Sequence, residues 1–252
     1  MSAQSLFINL VGAGDSGECI DKSQIFRFLV TGDLAAAKPL LQKLLEKEDS
    51  RANGFLYLNT LLAHQANKTA VLQLIQDLAS PYPTLAEAHY TVAQAAFQAD
   101  KPEIALSEII KASQLRPHWE LAAIQQADIL YTLSPDQAIA FYRGFLRDND
   151  DANDARLNLS RMLIKQLRFT EAKPELLKLS KLANSNPEIL VVVGLLSVQS
   201  NEFGDAEKYF KQALDSDLKN KDPIYIYLGQ IAEKNGNDAE AIQWYSAVQQ
   251  PA

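Results

Sequence analysis

The sequence predicts an all-α fold, a right-handed superhelical solenoid of about seven helix-turn-helix repeats. Three observations predict it: an internal period, a large apolar residue at a fixed distance from each recurring alanine, and a globular composition of 47% hydrophobic and 22% charged residues. This composition excludes a disordered chain. The period is carried by alanines at steps of 33 to 35 residues: Ala37, Ala70, Ala105, Ala138, Ala172, Ala206 and Ala241.

The second helix of each repeat, helix B, is centred on this alanine. The large residues four positions later are Leu41, Leu74, Ile109, Tyr142, Leu176, Phe210 and Tyr245. Positions i and i+4 share one face of a helix, so these pairs predict its buried stripe. Pro39 and Pro174 follow their alanines by two residues, and because proline breaks a helix interior, helix B must begin only a few residues earlier. Gly32, Gly204 and Gly236 are expected in the turns before helix B.

The first helix, helix A, precedes each turn, and small residues dominate its later copies. Gly194 and Gly229 stand inside it, where glycine costs about 0.8 to 1 kcal/mol relative to alanine, so we expect a neighbouring helix to approach them closely. The runs 190–193 and 224–227 favour strand by propensity, but the repeat places both in helix A and predicts helix.

Cap residues mark three of the helix starts. Thr84, with Glu87 three residues later, predicts a capping box. Ser134 before Pro135 and Asp222 before Pro223 each predict a cap donor ahead of a proline at the first helical position.

The repeat period also predicts the domain organisation. We expect one array over residues 18–252, with repeats near 18–50, 51–85, 86–118, 119–152, 153–186, 187–221 and 222–252. Residues 1–17 are expected to form a disordered leader, because their apolar run is shorter than the roughly 20 residues that span a bilayer. A glutamate directly before Cys19, the single cysteine, opposes a lipid-anchor site. The array lacks a polar capping helix at its end, which favours a truncated array or an end covered by a partner or by self-association.

The last copies resemble the tetratricopeptide repeat. Residues 222–248 match its aromatic, Leu-Gly, alanine, aromatic and small-residue positions through Tyr225, Leu228, Gly229, Ala241, Tyr245 and Val248. The preceding copy matches through Leu190, Gly194, Ala206, Phe210 and Ala213. Two residues depart from the pattern: Gln126 stands where glycine is usual, and Gly54 stands where a large residue is usual. The resemblance implies a concave face, lined mainly by helix A, that binds extended peptides or partner helices.

The inward positions of that family give the candidate binding residues. Carried onto this sequence, they are Phe55, Asn59, Tyr90, Gln94, Phe97, Gln98, Tyr131, Leu157, Arg161, Ile164, Lys165, Leu195, Gln199 and Gln230. This set is apolar and amide-rich, and it predicts recognition of a protein or peptide by aromatic anchors. About half of these side chains are expected to pack between repeats instead, since apolar stripes usually form core. A carboxylate-clamp co-chaperone is rejected, because only Asn59 fits the clamp and its partner position is Phe55.

One basic stripe interrupts this surface. Arg161, Lys165 and Arg168 follow one another at i, i+4 and i+7, so they share a helix face in the fifth copy. The functional hypothesis is that the stripe receives a carboxylate of the partner. The alternative is a solvated charged face with no binding role.

Composition and motifs oppose several other functions. The net charge of -7 opposes nucleic-acid binding, which needs a clustered positive field. Catalysis is not predicted, because His64, His89 and His118 form no zinc or triad motif, and no Gly-rich segment with a following Lys and Ser or Thr forms a phosphate loop. We therefore expect a protein that is not an enzyme and that uses no metal and no cofactor.

Residues 86–130 and 225–250 also resemble the arrays of Gram-negative outer-membrane tetratricopeptide lipoproteins, which act as adaptors for a periplasmic carboxyl-terminal processing protease. This resemblance implies a bacterial envelope scaffold, of which the chain is a fragment or a short relative. Its location is then periplasmic, with a cytoplasmic location as the alternative, and no direct membrane insertion is expected. The competing functions are a helical-repeat RNA-binding protein and a regulatory segment of a larger enzyme.

Overall fold

A computed structural model describes residues 22–46, 48–63, 65–182 and 186–248. These residues form fourteen α-helices and no strand, which confirms the all-α prediction. The chain divides into two compact units, the first ending at Leu115 and the second beginning at Arg116. The expected leader, Cys19 and His64 lie outside the described residues.

The first unit contains three helix pairs. Its helices are α1 (Lys22–Thr31), α2 (Leu34–Glu46), α3 (Glu48–Leu62), α4 (Lys68–Ala79), α5 (Ala86–Gln98) and α6 (Pro102–Leu115). Helix α5 packs against α6 within its pair and against both helices of the preceding pair.

The second unit contains four helix pairs. Its helices are α7 (Glu120–Leu133), α8 (Pro135–Asp148), α9 (Asn153–Lys165), α10 (Phe169–Ser180), α11 (Glu188–Gln199), α12 (Phe203–Leu214), α13 (Asp222–Lys234) and α14 (Asp238–Ser246). Each pair packs together, and helix B of one pair contacts helix A of the next. The runs 190–193 and 224–227 are helical, as the repeat predicts, because burial of a helical face outweighs their strand propensity.

The predicted stripe of helix B forms the core of both units. Six of the seven recurring alanines are buried, and Ala70 is partly exposed. The large residues four positions later are also buried except Tyr245, whose hydroxyl reaches Glu233 at 2.9 Å. A small and a large side chain on one face therefore fill the space between the paired helices.

Aromatic rings from helix B lie against the two glycines of helix A. A Cβ atom added to Gly194 would lie 2.5 Å from the ring of Phe210, and one added to Gly229 would overlap the ring of Tyr245. The close approach predicted from the sequence is confirmed, and it explains why glycine stands inside these helices.

The observed helix starts confirm some of the starts predicted from the sequence and contradict others. Helix α2 begins at Leu34 and α10 at Phe169, each five residues before its proline, as predicted. Ser134 caps α8 by accepting a hydrogen bond from the backbone N–H of Gln137. The cap predicted at Asp222 is wrong, because Asp222 is already the first residue of α13 and Lys221 is the N-cap. The capping box at Thr84 is wrong: Leu85 is the N-cap of α5 and makes no side-chain cap, so Thr84 lies one residue too early to cap the helix.

The turns between helices A and B use a left-handed backbone. Gly32 and Gly236 adopt positive φ there, as expected for turn glycines. The prediction for Gly204 is wrong, because it is the second residue of α12 and Asn201 adopts the positive φ in that turn. Leu167, which has a large side chain, also adopts a positive φ of 57° in the turn before α10.

Candidate peptide-binding surfaces

In the first unit, the predicted binding residues of α3 lie largely inside the fold. Phe55 is fully buried, and its ring meets Tyr82 edge-on with centroids 5.7 Å apart. Asn59 is partly exposed, and its Nδ2 atom is buried without a hydrogen-bond partner. Phe55 therefore packs in the core and offers no surface to a peptide in this conformation.

The predicted residues of α5 are closer to solvent. Tyr90 is buried, and its hydroxyl accepts a hydrogen bond of 3.1 Å from Nε2 of Gln94. Phe97 is partly exposed and Gln98 is exposed at the end of the helix. The surface of α5 available to a partner therefore consists of Gln94, Phe97 and Gln98.

In the second unit, the structure brings Tyr131 of α7 next to the end of α9. The Nζ atom of Lys165 lies 5.9 Å from the centre of the Tyr131 ring, and Nε2 of Gln166 donates a hydrogen bond of 2.9 Å to its hydroxyl. The cation and the amide hold the ring in place. Sequence reasoning missed Gln166, because it lies one residue past the helix, where the repeat pattern carries no signal.

Four predicted residues follow one another along a single face of α9. Leu157 and Ile164 are partly buried and pack on the core of the second unit. Arg161 and Lys165 are exposed, and neither forms an ion pair with any residue that the structure describes. Spacings of three and four residues place all four side chains together, so α9 presents two cations beside two apolar side chains.

Arg168 does not belong to this face, contrary to the stripe predicted from the sequence. It is the N-cap residue of α10, because α9 already ends at Lys165. Its guanidinium binds Glu171 and Asp136, each at 2.7 Å. The hydrogen bond with Glu171, ahead of the Asp136 charge, raises the pKa of Arg168.

Asp128 lies on α7 one turn before Tyr131, and the sequence did not single it out. Burial raises the pKa of its carboxyl, and the positive charge of Lys165 offsets this rise only in part. Asp128 is therefore an acidic neighbour of Lys165.

Leu195 of α11 is partly buried, and Gln199 and Gln230 are exposed. Beside them, Nζ of Lys234 lies 3.6 Å from the centre of the Phe203 ring. This contact fixes the end of α13 against the start of α12, and only the fold could place the two residues together.

The described histidines have structural partners. His89 contacts Glu108 at 2.6 Å and the carbonyl of Pro83 at 2.9 Å, and His118 contacts Asn149 at 2.6 Å. Among the residues that the structure describes, no group of three His, Cys, Asp or Glu side chains could hold a metal ion. None of the described helices has the length and apolar character that crossing a bilayer requires.

Comparison with known families gives a match in the last quarter of the chain. The family model for the tetratricopeptide repeat matches residues 194–252. This segment of the chain therefore matches the tetratricopeptide repeat. The matched residues include Gly194 and Gly229, the two positions where helix B aromatics pack against helix A of the repeat. A comparison with curated proteins finds no match.

Solved structures of tetratricopeptide repeat proteins resemble the chain at low sequence identity. Pseudomonas aeruginosa PilF has 16% identity and a TM-score of 0.53, with 78% of this chain and 89% of PilF covered. TTC0263 of Thermus thermophilus has 17% identity and a TM-score of 0.49, covering 70% of this chain and 98% of its own. YrrB, described as having an unusual peptide-binding site, has 15% identity and a TM-score of 0.47, covering 69% and 91%. The PilF likeness shows the fold alone.

Proposed function

We propose that this tetratricopeptide repeat protein is a non-catalytic scaffold that binds a protein or peptide through the exposed face of α9. The observation that carries the proposal is that two exposed cations on that face, Arg161 and Lys165, form no ion pair with the residues that the structure describes. Six other basic side chains of the second unit have ion-pair partners among the described residues: Arg143, Arg156, Arg168, Lys173, Lys178 and Lys211. Arg161 and Lys165 stay available for a partner carboxylate.

The neighbours of these cations define the ligand class. Leu157 and Ile164 flank Arg161 on the same helix face, and Tyr131 lies under Lys165. A segment with an acidic side chain beside apolar ones would satisfy both parts of this surface, because a carboxylate pairs with guanidinium while apolar atoms leave water. The proposed ligand is therefore an acidic peptide with apolar anchors.

Charge reversal at these cations tests the proposal. An array of acidic, basic and neutral peptides identifies a binder, and calorimetric titration then measures its affinity. We expect R161E/K165E to weaken binding at least tenfold, which corresponds to about 1.4 kcal/mol. The matched control R147E/K219E reverses two other exposed cations of the second unit and should leave the affinity within about twofold.

Equal weakening by both double variants would contradict the proposal, because the effect would then come from net charge alone. Retention of single-stranded RNA at physiological salt would favour the RNA-binding alternative instead.

The resemblance to envelope adaptors supports a finer proposal about the partner. An acidic segment of a periplasmic processing protease is the partner that this resemblance suggests. Cross-linking in the native host, with a photoreactive residue in place of Ile164, tests it. Recovery of ribosomal or cytoplasmic partners in place of an envelope protease would overturn this part of the proposal.

A further inference from the structure

An open cavity of about 400 Å³ lies on the second unit and shares no residue with the α9 face. It is formed by one face of α8 and by the connection that precedes α7. Phe141, Gly144, Phe145 and Asp148 follow one another at helical spacing, so they share that face of α8. The volume lies in the range of roughly 300 to 1,000 Å³ that small-molecule sites occupy.

Two hydrogen bonds join the connection to the end of α8. Nδ1 of His118 contacts Oδ1 of Asn149 at 2.6 Å, and Nδ2 of Asn149 donates to the carbonyl oxygen of Phe145 at 2.8 Å. Because the amide nitrogen is used in the second bond, Nδ1 of His118 is the donor in the first. These bonds fix the connection against the helix, so the cavity is formed before any ligand binds.

Gly144 stands in the interior of α8 without a packing reason. Glycine destabilises a helix interior relative to alanine, and at Gly194 and Gly229 the closeness of an aromatic ring explains it. Among the described residues, the one side chain within 4 Å of a Cβ added at Gly144 is that of Arg147, at 3.9 Å. A larger side chain would instead extend into the cavity that Gly144 lines. The glycine therefore keeps this space open.

Two opposite charges stand at the same cavity. Arg147 and Asp148 both line it and are exposed, and neither forms an ion pair with the other or with any residue that the structure describes. A guanidinium donates to a carboxylate, and a carboxylate accepts from an ammonium group. Phe141 and Phe145 add partly exposed rings that also pack on the core. A ligand that satisfies all of these side chains carries both charges and an apolar group.

We propose that this cavity binds a small zwitterion with an apolar group, of which a free aromatic amino acid is the simplest member. Its carboxylate pairs with Arg147, its ammonium group pairs with Asp148, and its ring lies against the two phenylalanines. Asp148 repels a ligand that carries only negative charge, so the cavity and the α9 face select different ligands. The acidic peptide of the proposed function is therefore not a ligand of the cavity.

Four small molecules test the ligand class by nuclear magnetic resonance titration of the full chain. Phenylalanine carries every feature, phenethylamine lacks the carboxylate, phenylpropionate lacks the ammonium group, and glycine lacks the ring. Phenylalanine should shift the backbone amide signals of Gly144 and Asn149. Loss of one charge should weaken binding about three- to fivefold, as expected for an exposed ion pair, and loss of the ring at least tenfold.

Substitution of Gly144 tests the place of binding. G144L fills the cavity and should remove phenylalanine binding, while leucine favours the helix over glycine. The control G204L makes the same change in α12, where an added Cβ lies in open space, and should keep the affinity within about twofold. Circular dichroism establishes that both variants remain folded.

The two charges are tested separately, with variants that leave the core intact. R147Q should make phenylalanine and phenethylamine bind equally, because the ligand carboxylate then has no charged partner. D148N should make phenylalanine and phenylpropionate bind equally for the corresponding reason. These variants test the proposal even if G144L does not fold.

Absence of amide shifts at tens of millimolar phenylalanine would overturn the proposal. Full affinity of G144L for phenylalanine would place the ligand elsewhere on the chain. Phenylpropionate that binds the unsubstituted chain as tightly as phenylalanine would also contradict the proposal, because the cavity would then recognise an anion without its ammonium group.

Discussion

Leu167 combines a positive φ angle of 57° with a side chain that is 73% exposed. A left-handed backbone costs an L-residue about 1 to 2 kcal/mol, while glycine loses about 0.5 to 1 kcal/mol of unfolded-state entropy. We therefore predict that L167G raises the free energy of unfolding by about 0.5 to 1 kcal/mol. Urea denaturation measures the change. The control N201G should gain less, since asparagine already tolerates this backbone, and a lower urea midpoint for L167G would refute the strain.

Gly194 and Gly204 give opposite predictions for one substitution. A Cβ at Gly194 would meet the Phe210 ring at 2.5 Å, whereas nothing lies within 4 Å of a Cβ at Gly204. G194A should lower the free energy of unfolding by about 1 to 3 kcal/mol through overpacking. G204A should raise it by up to about 1 kcal/mol, because alanine favours helix. Thermal denaturation measures both, and a stable G194A would show that α11 and α12 can separate without cost.

At the scale of elements, ion pairs link helix B of one repeat to the next repeat of the second unit. Arg143 of α8 binds Glu171 of α10, which also binds Arg168 at its other carboxylate oxygen. Lys173 binds Asp205 of α12 at 2.9 Å, and Lys211 lies 3.5 Å from Glu240 of α14. Each exposed pair contributes little by itself, so their combined effect is on the alignment of neighbouring repeats.

The Glu171 pair makes stability depend on pH. Hydrogen bonds from Arg168, then from Arg143, lower the pKa of Glu171 to about 2 from its ordinary value of 4.5. Because the folded-state pKa is depressed, the stabilisation is fully present above about pH 4.5 and is lost as the pH falls towards 2. E171Q should therefore melt below the unsubstituted chain at pH 7, with a difference that shrinks near pH 2. A difference that stays constant with pH would show that Glu171 acts by packing alone.

The sequence predicted the elements well because their signals are local. Alanine with a large residue four positions later describes one helix face, and Gly194 signals a close contact on another. The end of α9 at Lys165 carries no such signal, so the prediction for Arg168 named the wrong element. The burial of Phe55 depends on Tyr82, a residue outside the repeat positions, and no spacing rule contains it.

The candidate site could also be predicted from the sequence only in part. Repeat spacing placed Leu157, Arg161, Ile164 and Lys165 on one face of α9, because all four belong to a single helix. The contact of Tyr131 with Gln166 joins two repeats and ends in a turn, so only the packed structure gives it.

At the scale of the whole molecule, the two compact units each have buried apolar side chains of their own. In an array of repeats, each repeat is stabilised mainly by its neighbours, so a local loss of stability fades with distance along the chain. A buried ionic contact in the second unit allows this to be tested. Arg156 is only 2% exposed and binds Glu175 at 2.5 Å and Asp150 at 2.8 Å.

Removal of Arg156 should loosen the second unit and leave the first unchanged. R156M leaves Glu175 without its buried cation and should cost about 1 to 3 kcal/mol, because Glu175 is partly solvated. Hydrogen exchange should accelerate in α8, α9 and α10, which surround the lost contact, while α1 to α6 keep their protection. The control R147M removes an exposed arginine of α8 and should leave exchange unchanged. Equal loss of protection in α1 to α6 would instead show that the whole chain unfolds as one cooperative unit. A local loss of stability would then not fade with distance along the chain.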